Sequence, residues 1–137
     1  MKKFSRIKFL EKITALLAVT SLTGLQTNAQ PKSKQMFVHH VFFWLKNPGS
    51  KEEAAKLLQG LQSLAAIKSI KMIHIGVPAN GKYDKEIADH TYTYSLLLGF
   101  DDATGEEKYI NDPIHKRFVE ENKAYFGKVM VYDSVNA

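Results

Sequence analysis

The segment FVHHVFFWLK, residues 37–46, places two adjacent histidines at the head of an otherwise apolar run. A neutral imidazole can accept a proton from a bound compound and later return it, which is general acid–base catalysis. A buried histidine can also serve the structure alone, by finding a hydrogen-bond partner in the core. The chemistry of this segment therefore depends on which way His39 and His40 face.

The residues that other kinds of catalysis require are missing from this chain. It contains no cysteine, which excludes thiol catalysis, disulfides and cysteine-ligated zinc. Its five histidines show no pairing at metal-ligand spacing, so we expect no metal site. Phosphate-binding loops, nucleophile elbows and paired catalytic carboxylates are missing as well. Histidine and phenol side chains remain for acid–base chemistry, for which we expect no cofactor.

The positive charge is concentrated at the amino terminus. The 137-residue chain has a formal net charge of +5, and residues 1–29 hold five of its 19 basic residues but only one of its 14 acidic residues. The rest of the chain is nearly neutral. We therefore expect no nucleic-acid partner.

Residues 1–29 have the pattern of a secretory signal peptide. A charged start precedes the apolar run ITALLAVTSLTGL, which is too short to span a bilayer, and TNA then supplies small residues before Gln30. We expect cleavage there, followed by a polar tether at 30–35. The mature protein would be periplasmic or secreted, without membrane attachment. An uncleaved amino-terminal anchor is the alternative.

The elements that must position the histidines follow from hydrophobic periodicity. Strands are predicted at 36–45, 69–78, 91–100 and 128–135. Ser50, with Glu53 three residues later, forms a capping box that predicts a helix from 51 to about 66. A polar loop at 79–90 is long for a hairpin, which favours a functional or oligomer-related role.

A second helical region is predicted between the last two strands. Either aspartate of the Asp101-Asp102 pair can cap a short helix, and the Asp112-Pro113 pair then restarts it with an N-cap acid and a proline in the first turn. Gly127 is placed to end this second helix.

This order of elements predicts an α+β fold, a ferredoxin-like βαββαβ sandwich over residues 36–135. Both helices then lie on one face of the sheet. Alternation along the first strand groups His39 with Phe43 and Leu45, and we predict that this group lines the side without helices, while His40 points at the helices. An apolar sheet face needs cover, so we expect two copies to form a homodimeric α/β barrel.

Two short motifs resemble the stress-responsive A/B barrel family, known as Dabb, over roughly residues 36–135. The family has a first-strand histidine followed seven positions later by lysine, and a second motif of tyrosine, three residues, proline, one residue and histidine. The matching residues are His39 and Lys46, then Tyr109, Pro113 and His115. Family members commonly have histidine directly before the proline, where this chain has Asp112.

The resemblance implies a dimeric barrel and, in a few plant members, ring closure of polyketides by aldol chemistry. Carried over, it makes Tyr109 and His115 the catalytic pair and places His39 in the lining of the site. His115 is third in its predicted helix, whose amino-terminal dipole disfavours imidazolium, although Asp112 opposes this. A capping or packing role for His115 is the alternative.

Aromatic residues on the strands offer a candidate ligand pocket. We predict that Phe43, Tyr92 and Tyr94, with His39, bind a small apolar or aromatic ligand; filling of the core is the alternative. Three classes of function stay open: a ligand-binding barrel, with or without cofactor-free cyclase- or lyase-like catalysis; a non-enzymatic, stress-related structural oligomer; and, by analogy of fold alone, a haem- or quinone-type oxygenase.

Overall fold

A computed structural model of the chain describes residues 35–81 and 84–137; the signal segment predicted at 1–29 and most of the tether lie outside the described residues. The strands are β1 (Phe37–Leu45), β2 (Met72–Gly76), β3 (Tyr94–Phe100) and β4 (Phe126–Val135). The helices are α1 (Lys51–Ser63), α2 (Asp84–Ile87), α3 (Ala103–Asn111) and α4 (Pro113–Asn122). Short 3₁₀ turns follow α1 at Leu64–Ala66 and α4 at Lys123–Tyr125. No helix in these described ranges is long and apolar enough to cross a membrane.

The four strands form one antiparallel sheet in the order β2-β3-β1-β4. Together with the helices this is the predicted ferredoxin-like sandwich, so the fold class read from the order of elements is confirmed. The inner strand β1 lies between β3 and β4, and its register places His39 opposite Leu98 on one side and Asp133 on the other. The sequence prediction did not include α2, which lies within the loop predicted at 79–90.

Side-chain caps determine where the longer helices begin. The Ser50 hydroxyl accepts a hydrogen bond from the backbone N–H of Glu53 at 3.2 Å, as the capping box predicted. The Asp112 carboxylate accepts one from the N–H of Ile114 at 2.8 Å, and a proline occupies the first turn of α4. These local contacts make His115 the third residue of α4.

The assignment of the two sheet faces was wrong. His39, Phe43 and Leu45 do share a face, but it is the helix-covered one, where Phe43 is 4% exposed and packs against Phe118. His40 lies on the opposite face, away from the helices. Alternation tells which residues share a face, but not which face the helices cover, because both sets of side chains on β1 are largely apolar.

The sheet side without helices is called the open face below. Its principal side chains are Val38, His40, Phe42 and Trp44 of β1, Met72 and His74 of β2, Ser95 and Leu97 of β3, and Lys128, Met130 and Tyr132 of β4. Aromatic rings lie together there, with the Phe42 ring 6.5 Å from Trp44 and 6.1 Å from Tyr132 between centroids. In the described part of the chain no helix packs over these rings, so the open face is an apolar surface.

Gly127 does not end a helix as predicted. The helix α4 already ends at Asn122, and Gly127 lies inside β4 beside an irregularity in the β1–β4 register at Leu45. A Cβ atom at this position would come within 2.9 Å of the Leu45 carbonyl oxygen. Glycine is needed here for a close approach of two backbones.

Candidate functional site

Three motif residues from separate elements meet between the sheet and the helices. The Tyr109 ring of α3 lies 5.7 Å from the His39 ring of β1 and 4.4 Å from the His115 ring of α4, measured between centroids. The structure therefore brings together two imidazoles and one phenol, and these three residues are called the acid–base cluster below.

Tyr109 is the buried centre of the acid–base cluster. It is 2% exposed, and its ring also lies 5.5 Å from Phe100. Burial, together with the nearby Glu106 carboxylate, raises the pKa of the phenol well above its ordinary value. The hydroxyl consequently stays protonated at neutral pH and can donate a hydrogen bond to an oxygen that gains negative charge.

His115 has the properties of a base. Its Nδ1 lies 3.1 Å from the Ile110 carbonyl oxygen, which can only accept, so Nδ1 carries the proton and the neutral ring has its lone pair on Nε2. Burial lowers the pKa of His115, as do His39 and Lys116, while the Ile110 hydrogen bond and Asp112 oppose this. The net lowering keeps the ring neutral at pH 7.

His39 has a carboxylate partner that sequence reasoning missed. Its Nδ1 lies 2.7 Å from Oδ1 of Asp133, which is directly opposite on β4. An ionised carboxylate accepts from Nδ1–H, which leaves Nε2 of a neutral His39 as an acceptor. A weak signal was present: Asp133 is the single acid in the alternating row of β4 that otherwise consists of Val129, Val131 and Val135.

The other predicted ligand contacts do not join the acid–base cluster. Phe43 and its β3 neighbour Tyr94 pack within the hydrophobic core. Tyr92 lies on the other side of the sheet, with its ring 5.0 Å from Phe42 on the open face. The strand was predicted to begin at residue 91, but β3 begins only at Tyr94, and alternation does not extend beyond the strand, so Tyr92 and Tyr94 lie on different sides of the sheet.

The acid–base cluster borders solvent along one edge. His39 and Tyr109 are buried, whereas His115 is half-buried and the Asp133 side chain is 46% exposed. Three surface cavities, of about 580, 200 and 390 Å³, are all lined by other residues. The Asp133 and His115 edge is therefore the exposed side from which a ligand would approach the buried Tyr109.

The residues of the acid–base cluster include no set of metal ligands. Across residues 35–81 and 84–137, no group of three or more histidine, cysteine, aspartate or glutamate side chains is arranged to hold a metal ion. The described side chains that can act on a ligand here are thus two imidazoles, a phenol and the Asp133 carboxylate.

Comparison with known proteins gives a family match. The family described as the stress responsive A/B barrel domain, Dabb, matches residues 37–136. No curated protein matches the sequence. The matched range contains the whole sheet and all the helices described above.

Solved structures share the fold at low sequence identity. A Dabb family protein with a ferredoxin-like fold from Mesorhizobium loti is 23% identical, with a TM-score of 0.61 over 75% of this chain and 98% of that one. A dimeric ferredoxin-like protein of unknown function from Bacteroides fragilis is 20% identical, with a TM-score of 0.58 over 74% and 96% of the two chains. The hydroxynitrile lyase from Passiflora edulis is 18% identical, with a TM-score of 0.64 over 76% and 95%.

Proposed function

We propose, since the chain belongs to the stress responsive A/B barrel (Dabb) family, that it binds a small apolar or aromatic carbonyl compound at the acid–base cluster and transfers a proton there without a cofactor. The observation that carries this proposal is the contact of the buried Tyr109 phenol with two imidazoles. Nδ1 of His115 is engaged by the Ile110 carbonyl, so Nε2 of its neutral ring is left as a proton acceptor, and Nδ1 of His39 is held by Asp133.

The proposed reaction divides the work between His115 and Tyr109. Nε2 of His115 takes a proton from a carbon or hydroxyl next to the reacting centre, and the electron pair left behind moves toward the substrate oxygen or a leaving group. Tyr109 donates a hydrogen bond to the carbonyl or enolate oxygen. His39, held by Asp133, orients the ligand. His115 then returns the proton, so that no net oxidation or reduction occurs.

Two types of reaction fit this arrangement. Aldol-type ring closure forms a carbon–carbon bond after the proton transfer, whereas a lyase-type reaction breaks one. The hydroxynitrile lyase among the similar structures supports the second type for this fold. The chain's own residues favour neither, because both need one base and one donor to oxygen.

We propose that the working form is a homodimer whose two copies meet through their open faces. The open face presents Phe42, Trp44 and Tyr132 without helix cover. Apolar patches of this kind mark interfaces between proteins. The similar protein from Bacteroides fragilis is described as dimeric, which supports the same assembly for this chain.

We propose that this homodimer acts in the periplasm or outside the cell. Support comes from the charged and apolar pattern of residues 1–29, which ends in TNA before Gln30. The expected result is an intact mass for the exported protein that corresponds to a start at Gln30. A mass that retains residues 1–29 would show that the segment is not removed.

A ligand screen with a matched pair of variants tests the binding proposal. Aromatic ketones, phenolics and aromatic hydroxynitriles are added to the protein, and its melting temperature is recorded. We expect at least one ketone to stabilise the protein, and Tyr109→Phe to weaken its binding about tenfold or more, because the variant loses a buried hydrogen bond but keeps the ring.

Tyr125→Phe is the control for this screen, since its ring lies under Lys56 and away from the acid–base cluster. It should bind as tightly as the unchanged protein. Stabilisation by none of the compounds, or equal binding by both variants, would favour the non-enzymatic structural oligomer instead.

A further inference from the structure

Two histidines lie in one row across the open face. His40 of β1 is paired with Leu97 of β3, and Leu97 is paired in turn with His74 of β2. Successive partners in a sheet point to the same side, so both imidazoles project from the face that has no helices. The acid–base cluster does not use either of them.

Both imidazoles are packed onto the surface of the sheet. The His40 ring lies against Phe42, with centroids 4.3 Å apart. The His74 ring lies over Gly76, where a Cβ atom would come within 2.9 Å of its Cε1. Phe42 and Gly76 are both paired with Ser95, which is only 7% exposed although it lies on the open face. The two rings thus lean toward the same row in the middle of the apolar surface.

The strands of the described sheet place no carboxylate on the open face. The four strands contain a single acid, Asp133, and it is bonded to His39 on the helix side. The charged group of the open face is Lys128, whose Nζ lies 4.3 Å from the Trp44 ring, with Asp89 near it beyond the start of β3. A protonated histidine at the centre of the face would therefore have no anion on the strands to compensate it.

The neighbours of His40 include two other imidazoles and a phenol, and no carboxylate of the strands. His74 lies across the open face from His40. Tyr132 of β4 is paired with His40, and His39 is adjacent to His40 on β1 but points to the other side of the sheet. Burial lowers the pKa of His40, and the charges that His74 and His39 would carry lower it further. A second copy of the chain over the open face would strengthen the effect of burial.

We propose that the open face is a pH-sensitive contact between two copies, which associate while His40 and His74 are neutral and separate when acid protonates them. This inference rests on the homodimer of the proposed function. Each dimer would otherwise have to bury four imidazolium charges in an apolar interface without a strand carboxylate. Such a contact dissociates in response to acid itself and needs no ligand to do so.

The direction in which the dimer affinity changes with pH follows from proton linkage. The dimer disfavours imidazolium and so binds fewer protons than two separate copies, which means that association weakens as the pH falls. If one imidazole per copy cannot be protonated in the dimer, the dissociation constant rises by up to about 10²-fold for each pH unit below the pKa of that imidazole in the separate copies. Participation of both histidines makes the rise steeper.

The test measures the dissociation constant by sedimentation equilibrium between about pH 7.5 and 5 at fixed ionic strength, with circular dichroism of the same samples. We expect the unchanged protein to lose at least about tenfold in affinity while it stays folded. The double variant His40→Gln, His74→Gln should dimerise at the higher pH and lose less than about threefold on acidification. His115→Gln, altered on the helix side, should keep the full pH dependence.

The contrary results distinguish failure of the pH switch from failure of the proposed homodimer. A dimer of equal affinity at both pH values overturns the switch and leaves the homodimer standing. A monomer at pH 7.5 overturns the homodimer itself, and the switch with it. Loss of the folded spectrum together with the dimer, or an unchanged pH dependence in the double variant, also overturns the switch.

Discussion

Replacing His115 with alanine should lower turnover of a carbonyl substrate by roughly 10²–10⁴-fold, the usual contribution of one general acid–base group. The fold and the dimer should remain, because His115 is half-buried at the first turn of α4 and the Asp112 cap that starts this helix is untouched. Circular dichroism and light scattering check the two expectations about structure, and initial rates check the turnover.

The pH profile distinguishes a base from a merely structural residue. Burial lowers the pKa of His115, so the neutral, proton-accepting form predominates at neutral pH. Turnover of the unchanged protein should therefore rise with pH on the acid side, through a value below the ordinary imidazole pKa of about 6.5, and then level off. The His115→Ala variant should lack this rise.

A matched control and a contrary result complete this test. His74→Ala removes an imidazole on the opposite side of the sheet, so its turnover should stay within about threefold of the unchanged protein when both are measured as dimers. Turnover that survives both His115→Ala and Tyr109→Phe would refute catalysis by the acid–base cluster and leave a binding protein.

A single charge at Phe43 should prevent folding. Phe43 is 4% exposed, and its ring packs 6.2 Å from Phe118 and 5.3 Å from Phe126. The Phe43→Asp variant would lose this burial and place an unpaired carboxylate in the core, at a cost above about 4 kcal/mol. Because domains of this kind are stable by only about 5–15 kcal/mol, we expect a largely unfolded protein.

The neighbouring residue provides the control. Phe42 has the same side chain but lies on the open face, against His40 and Tyr92. We expect Phe42→Asp to fold and to be monomeric, because the charge meets solvent in the single copy and an apolar surface in the dimer. Thermal melting and light scattering distinguish the two outcomes. A folded Phe43→Asp protein, or a dimeric Phe42→Asp protein, would contradict the assignment of the faces.

The sequence by itself determined the features that depend on neighbouring residues. The caps at Ser50 and Asp112 lie where they were predicted, because a helix N-cap needs only a side-chain acceptor within three residues of a free N–H. Of the two aspartates predicted as alternatives for the short helix, Asp102 is the cap. The order of strands and helices, and with it the ferredoxin-like fold, followed from these caps and from hydrophobic periodicity. Tyr109 and His115 were selected by the resemblance to the Dabb family.

Only the tertiary structure decided which side of the sheet each group occupies. The alternation of side chains along a strand places His39 and Phe43 on the same face. The packing of the helices against the sheet determines that this face is the covered one. The bond between His39 and Asp133 joins residues 94 positions apart, and it depends on the register of two strands that no local pattern specifies. For the same reason Asp133, and the exposure of His40 on the open face, became visible only in the folded chain.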